Sequence, residues 1–145
     1  MKSNSVRSLD QSMDFLERQL ARMWRDSGQI ELANQLSFNE YDYLKCVHEL
    51  KSPRLSDLAK QMNVSRPSAT TMVQKLEKRG LVKRSPCPED GRAFRLSITP
   101  KTLNILEKDR EIYSALNNRI RKALPENELS RLEKLLSKVC DSIGD

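Results

Sequence analysis

The chain has 145 residues, carries 26 Lys and Arg against 20 Asp and Glu, and is 37% hydrophobic. That length allows one compact domain, or one domain with helical extensions, and so low an apolar share suits a core completed by pairing with a second copy. No apolar run approaches the roughly 18 residues of a membrane span, and the start MKSNSVRSLD lacks an apolar signal core, so a cytoplasmic protein is expected.

Residues 1–8 are polar and expected to fray. Leu9, Met13, Leu16, Leu20 and Met23 then recur at steps of four and three, which predicts a helix with one apolar stripe ending near Ser27-Gly28. The stripe packs either on its own domain or on a second subunit. Residues 29–36 read as a linker with some helical character. Ser37 and Glu40 have the spacing of a capping box and open a helix with Tyr41, Leu44, Val47 and His48 at helical period. His48 is expected to be a partly buried helix residue rather than a ligand or acid-base group. This helix ends near Lys51-Ser52-Pro53, because proline cannot continue it.

Ser56 is expected to cap the next helix, which turns Leu58, Ala59 and Met62 inward. Asn63 suits a left-handed residue at the turn, and Val64 plugs the angle. Ser65 caps the following helix, which carries Pro67 in its first turn and stops at Gly80. Wound at about 100° per residue, it places Ala69, Met72, Val73 and Leu76 on one face. Pro67, Thr70, Thr71, Gln74 and Lys78 fall opposite. Small polar side chains there can approach base edges, and lysines can meet phosphates.

Leu81 to Ser85 reads as a short strand, and Phe94 to Ile98 alternates as a second, half-buried one. Pro86 to Arg92 forms the loop between them, with Asp90-Gly91 supplying its turn. From Lys51 to Lys101 there are twelve Lys and Arg against four Asp and Glu, a net +8. The overall charge of +6 leaves −2 for the rest of the chain. The positive excess therefore sits where a phosphate-binding surface would lie.

Thr99-Pro100 starts a long helix, with Leu106, Ile112, Tyr113, Leu116 and Ile120 on its apolar side, broken at Leu124-Pro125. The last helix carries Leu129, Leu132, Leu135, Leu136, Val139 and Ile143. These terminal stripes have no domain of their own to cover them, and a partner chain is their natural cover.

Two helices about a tight turn, followed by a basic hairpin, make a winged helix-turn-helix. The motifs LSFNEYDYLKCVHEL, LSDLAKQMNVS, SRPSATTMVQKLEKRGLVKR and PEDGRAFRLSITPK, in this order over about 65 residues, resemble the MarR family of transcriptional regulators. The fold class is thus mainly α with a small β-hairpin wing, plus N- and C-terminal dimerisation helices. The expected division is residues 1–34 for the first dimerisation helix and linker, 35–100 for the winged domain, and 101–145 for the C-terminal dimerisation helices. The resemblance implies a homodimer on a near-palindromic duplex, with Ser65 to Lys75 in the major groove and Arg92 at the wing tip in the minor groove. The expected contacts are Ser65, Arg66, Pro67, Ser68, Thr70, Thr71, Gln74 and Lys75 on the helix, and Arg84, Asp90, Gly91 and Arg92 on the wing. Asp90 in the family pairs with a nearby arginine; capping the turn is the alternative. Leu9, Met13, Leu16, Leu20, Leu132, Leu136 and Val139 are expected at the dimer interface.

The resemblance also implies a repressor or activator, with repression favoured, modulated by a small anionic or phenolic effector or by a redox signal. Trp24, Tyr41 and Tyr113 lie near the expected effector region and read as core rather than pocket. Cys87 stands where the family often has an acidic residue. Beside Arg84 and Arg92 its thiol could be oxidisable; the plainer reading is a tolerated small side chain. Cys46 and Cys140 lie on apolar helical faces and are expected in the core. With a single histidine and no CxxC pair, a metal site is not expected. No cofactor is expected either, and no phosphate loop or nucleophile elbow suggests an enzyme. A winged helix serving protein or RNA contact is the alternative class.

Overall fold

The computed structural model describes residues 5–144. Residues 1–4, part of the segment expected to fray, lie outside the described residues. The element order is α1 (Leu9–Asp26), α2 (Ile30–Asn34), α3 (Phe38–Glu49), α4 (Leu55–Met62), α5 (Arg66–Lys78), β1 (Val82–Cys87), β2 (Asp90–Ile98), α6 (Pro100–Ala123) and α7 (Glu126–Ile143). The chain divides into two compact units, one spanning Arg25–Asp109 and the other the described parts of Met1–Trp24 and Arg110–Asp145.

In the central unit, local chemistry sets each boundary. The Ser37 Oγ accepts from Glu40 N at 3.1 Å, and the Glu40 carboxylate accepts from Ser37 N at 3.0 Å, completing the box that starts α3. α3 stops at Glu49, before the proline is reached, and Lys51 and Ser52 take left-handed backbone with φ of 54° and 60°. α4 begins two residues earlier than a Ser56 cap requires. Arg54 is the N-cap, and its N–H is bound by the Asp57 carboxylate at 3.1 Å. An acid at the third helical position can reach back to that amide, whereas Ser56 is already inside the first turn.

Both helices of the turn motif end in the same way. Asn63 is left-handed (φ 54°), with Val64 N donating to Ala59 O at 3.0 Å. Gly80 is left-handed (φ 71°), with Leu81 N donating to Leu76 O at 2.9 Å. Each is a six-to-one closure that satisfies carbonyls left over at a helix end. Between them, Ser65 accepts from Ser68 N at 3.2 Å and caps α5.

β1 and β2 pair antiparallel, from Val82 opposite Ile98 to Pro86 opposite Phe94, with an irregularity at Cys87 opposite Asp90. The strands thus run further into the expected loop than composition suggests. A two-stranded edge tolerates Pro86, which needs no partner for an absent N–H. The turn centre is Pro88-Glu89, not Asp90-Gly91, and Gly91 does not use a left-handed backbone. Leu96 N donates to Pro53 O at 2.8 Å, which fastens the hairpin base to the segment before α4.

Leu44, Val47, Leu58, Ala69, Val73, Leu76, Leu81, Val82, Leu96 and Ile105 belong to one buried cluster drawn from α3 through α6. Burying a Leu or Val side chain contributes about 1.5–3 kcal/mol, so this cluster fixes the angle between α4 and α5. Thr99 Oγ1 donates to Gly80 O at 2.7 Å, and Thr102 Oγ1 to Leu81 O at 2.6 Å, locking the start of α6 to the end of α5. Cys46 is in this core, as expected; His48 is not, and is exposed. His48 shares the helix but sits at the edge of its inward face.

In the other unit, Arg121 and Glu133 pair at 3.6 Å between α6 and α7. Trp24, Ile112 and Leu116 are buried. Leu9, Met13, Leu136 and Val139 are at least half exposed, as are Leu135 and Ile143, while Leu16, Leu20 and Leu132 are partly buried. Cys140 is exposed rather than core, because the apolar face of α7 that carries it is uncovered in a single chain.

Candidate nucleic-acid interface

The inward face of α5 is Ala69, Val73 and Leu76, all buried, with Met72 partly so. Its other side is turned to solvent. Ser65, Arg66, Pro67, Ser68, Thr71, Gln74 and Lys75 are exposed, and Thr70 is partly covered. Two of the hydroxyls bond to the helix itself. Thr70 Oγ1 donates to Arg66 O at 2.9 Å, and Thr71 Oγ1 to Pro67 O at 3.0 Å. Ser65 Oγ donates to Ser68 Oγ at 2.9 Å while accepting the Ser68 amide.

Between α5 and the hairpin lies a cleft of about 350 Å³. Arg54, Arg66, Arg84 and Arg92 line it, with Asp90 the one carboxylate among its lining residues. The four guanidinium groups are not equivalent. Arg84 pairs with Glu77 at 3.2 Å and lies 5.4 Å over the Phe94 ring. Arg54 pairs with Glu89 at 3.2 Å. The side chains of Arg66 and Arg92 form no ion pair among the described residues, and both are exposed. They are the cations left available for an anionic partner. A cationic cleft with low-dielectric walls concentrates its field and attracts polyanions.

Asp90 caps the turn. Its Oδ1 accepts from Arg92 N at 3.0 Å. The acidic residue that pairs with arginines is its neighbour Glu89, which meets Arg95 at 2.8 Å as well as Arg54. At the centre of the turn, Glu89 points back toward the hairpin base, whereas Asp90 opens β2. Hydrogen bonding to Arg95, then to Cys87 and Arg54, holds the Glu89 carboxyl below its ordinary range. Arg95 Nη1 also donates to Ser52 O at 3.1 Å, which ties the turn to the left-handed pair before α4.

Cys87 is 3% exposed, and its Sγ lies 3.4 Å from both Arg54 Nη2 and Glu89 Oε2. Its basic neighbour is therefore Arg54, not Arg84 or Arg92. The burial reflects its place at the irregular end of β1, where the side chain turns under the tip.

A second charged cluster braces the far end of α5. Glu40 is 5% exposed and pairs with Arg79, while Lys75 Nζ approaches it at 3.8 Å. Arg79 also donates to the Gln35 carbonyl. Burial raises the Glu40 pKa, but hydrogen bonds from Ser37 and the charges of Arg79 and Lys75 outweigh it and hold the carboxyl below its usual range. Neither the Glu40–Arg79 pair nor the Glu89–Arg54 pair is visible in the sequence, since their members lie 39 and 35 residues apart.

Of the aromatic residues expected in a core, Trp24 is buried. Tyr41 is half-buried, with its hydroxyl donating to Asp109 Oδ2 at 2.5 Å, and Tyr113 is 49% exposed. Tyr113 lies off the buried line of Ile112 and Leu116 on the same helix.

The MarR family model matches residues 36–94. The HTH-type transcriptional regulator BilQ of Clostridioides difficile (strain CD3) is 30% identical over 101 residues, covering 70% of this chain and 68% of that protein. Among solved structures, Streptococcus pneumoniae FabT in complex with DNA superposes with a TM-score of 0.69 at 20% identity, covering 92% of this chain and 98% of that one. A mutant MarR from E. coli complexed with operator DNA superposes at 0.56 with 22% identity, covering 90% and 92%. At these identities the structures bear on fold alone.

Proposed function

This chain belongs to the MarR family of transcriptional regulators, not to a class of enzymes, and we propose from that premise that it is a homodimeric repressor of a near-palindromic duplex site. FabT and the E. coli protein are bound to DNA in the structures named above, which supports the same partner here. The observation that carries the reading is the pairing of the polar outer side of α5 with a cleft in which Arg66 and Arg92 have no ion-pair partner.

We assign α5 to the major groove and the hairpin tip to the adjacent minor groove, where a narrow groove concentrates negative potential and favours arginine. Ser65 and the free amides of the first turn of α5 suit a phosphate oxygen. Arg84 and Lys75, already paired within the chain, contribute less than Arg66 and Arg92. Residues 35–100 form the DNA-binding domain in this reading, and residues 1–34 and 101–145 join two copies. The uncovered stripes of α1 and α7, with Leu9 77% and Ile143 78% exposed, support the dimer. A small anionic or phenolic effector would act by changing the separation of the two winged domains. No helix among the described residues is long and apolar enough to cross a membrane, and the proposed site of action is the cytoplasm.

Selection of bound duplexes from random DNA tests the reading and yields the half-site spacing, expected near one helical turn. On the selected site, Arg92→Ala should weaken binding and flatten the salt dependence by a slope of about 1, with the dimer intact. An unchanged slope would remove Arg92 from the interface.

A further inference from the structure

The hydrogen bonds inside α5 restrict what its outer face can say to a base pair. Pro67, Thr71 and Gln74 lie at i, i+4 and i+7 on one exposed stripe. Pro67 offers a ring and no N–H. The single proton of Thr71 is given to Pro67 O, so outward it presents a γ-methyl and oxygen lone pairs. Thr70 is spent in the same way on Arg66 O. Gln74 alone of the three carries a free donor and acceptor together.

Two cations flank this stripe and a third, Lys78, ends it. Arg66 lines the cleft toward the hairpin, and Lys75 leans on Glu40. Lys78 follows a full turn beyond Gln74, at the end of the helix farther from the capped start. No guanidinium or ammonium therefore occupies the middle of the stripe, where guanine would be read.

We infer that the half-site under Pro67, Thr71 and Gln74 is an A·T element. Thymine C5-methyl groups pack on the Pro67 ring and the Thr71 methyl. Gln74 reads an adenine through N6 and N7, the pairing its amide geometry fits. This deepens the proposed function and rests on α5 being the major-groove helix.

The test uses the full chain and its selected duplex at fixed salt, with deoxyuridine replacing thymidine one position at a time in each half-site. Removing the critical methyl should weaken wild-type binding about fourfold, the worth of one buried methyl-sized group. Replacing the critical adenine by 7-deazaadenine should cost about tenfold, and Gln74→Ala should abolish that difference. Thr71→Ser keeps the hydroxyl but not the methyl, and the deoxyuridine replacement under residue 71 should no longer weaken binding. Thr71→Val keeps a methyl and should still distinguish the thymidine and deoxyuridine duplexes. The inference is overturned if wild type binds its selected duplex but ignores every methyl deletion, or if Thr71→Val loses the discrimination that Thr71→Ser keeps. If no duplex is selected at all, the assignment of α5 falls first and this inference with it.

Discussion

Glu40→Gln is the most informative single change for the bracing of α5. The Glu40 side chain is 7% exposed, against 36% for Arg79 and 59% for Lys75. Glutamine keeps the volume and can still accept from Ser37 N, but it sets an uncharged group against Arg79. Loss of a charge-assisted hydrogen bond costs about 1.5–3 kcal/mol, so a drop of about 2 kcal/mol in unfolding free energy is expected. Arg79→Met should cost more, about 3 kcal/mol, because it leaves a buried carboxylate with the Ser37 amide and no cation nearer than Lys75. Urea unfolding of wild type, both single variants and the double variant, at one protomer concentration, completes the cycle. A coupling energy below about 0.5 kcal/mol would refute the reasoning, since that is what an exposed pair gives. The pH dependence supplies a second check. The Glu40 pKa is lowered from its ordinary value of 4.5 in the folded chain. Its contribution is therefore complete above that value and disappears as pH falls through the lower folded one. The gap between wild type and Glu40→Gln should be constant from pH 7 to 5 and close at more acid pH.

Four other changes separate glycines, left-handed residues and the hairpin. Gly80→Ala should cost about 1 kcal/mol because φ is +71° there, whereas Gly91→Ala, with open space and no left-handed backbone, should change thermal stability by less than about 0.5 kcal/mol. Lys51→Gly should raise the unfolding free energy by about 0.5–1 kcal/mol, because φ of 54° strains a side chain and not a glycine. Glu89→Gln should loosen the hairpin tip and speed alkylation of Cys87, followed by mass spectrometry, with the helical signal unchanged; an unaltered rate would show that Glu89 does not hold the tip.

What could be read from the residues was what repeats or caps locally. The periodic stripes of α1, α5 and α7, the Ser37 and Ser65 caps and the left-handed Asn63 depend on neighbours within four residues, and all of these are found. The errors have a common source. Ser56 has a capping side chain, but Asp57 captures the Arg54 amide first. Asp90-Gly91 is a strong turn pair in isolation, yet strand pairing through Pro86 moves the turn to Pro88-Glu89. That shift passes the arginine partners from Asp90 to Glu89. On α3 the buried side takes in Tyr43 and Cys46 and leaves His48 exposed, and on α7 Cys140 lies on a face that nothing covers in a single chain; spacing gives the stripe, but what packs beside it decides exposure. In the candidate site, α5 and its outward residues were legible; which arginines of the cleft are already occupied was not, since Glu77 and Glu89 decide that through space.

The bond from Arg79 to Gln35 reaches a backbone carbonyl, not a side chain. Every amino acid supplies that oxygen. The side chain at position 35 is therefore free to diverge without breaking the mechanical link to α5, provided the length of the linker is kept. A one-residue insertion or deletion between Gln35 and Ser37 would do what no substitution at Gln35 can: shift the carbonyl out of reach and detach the helix end from the linker.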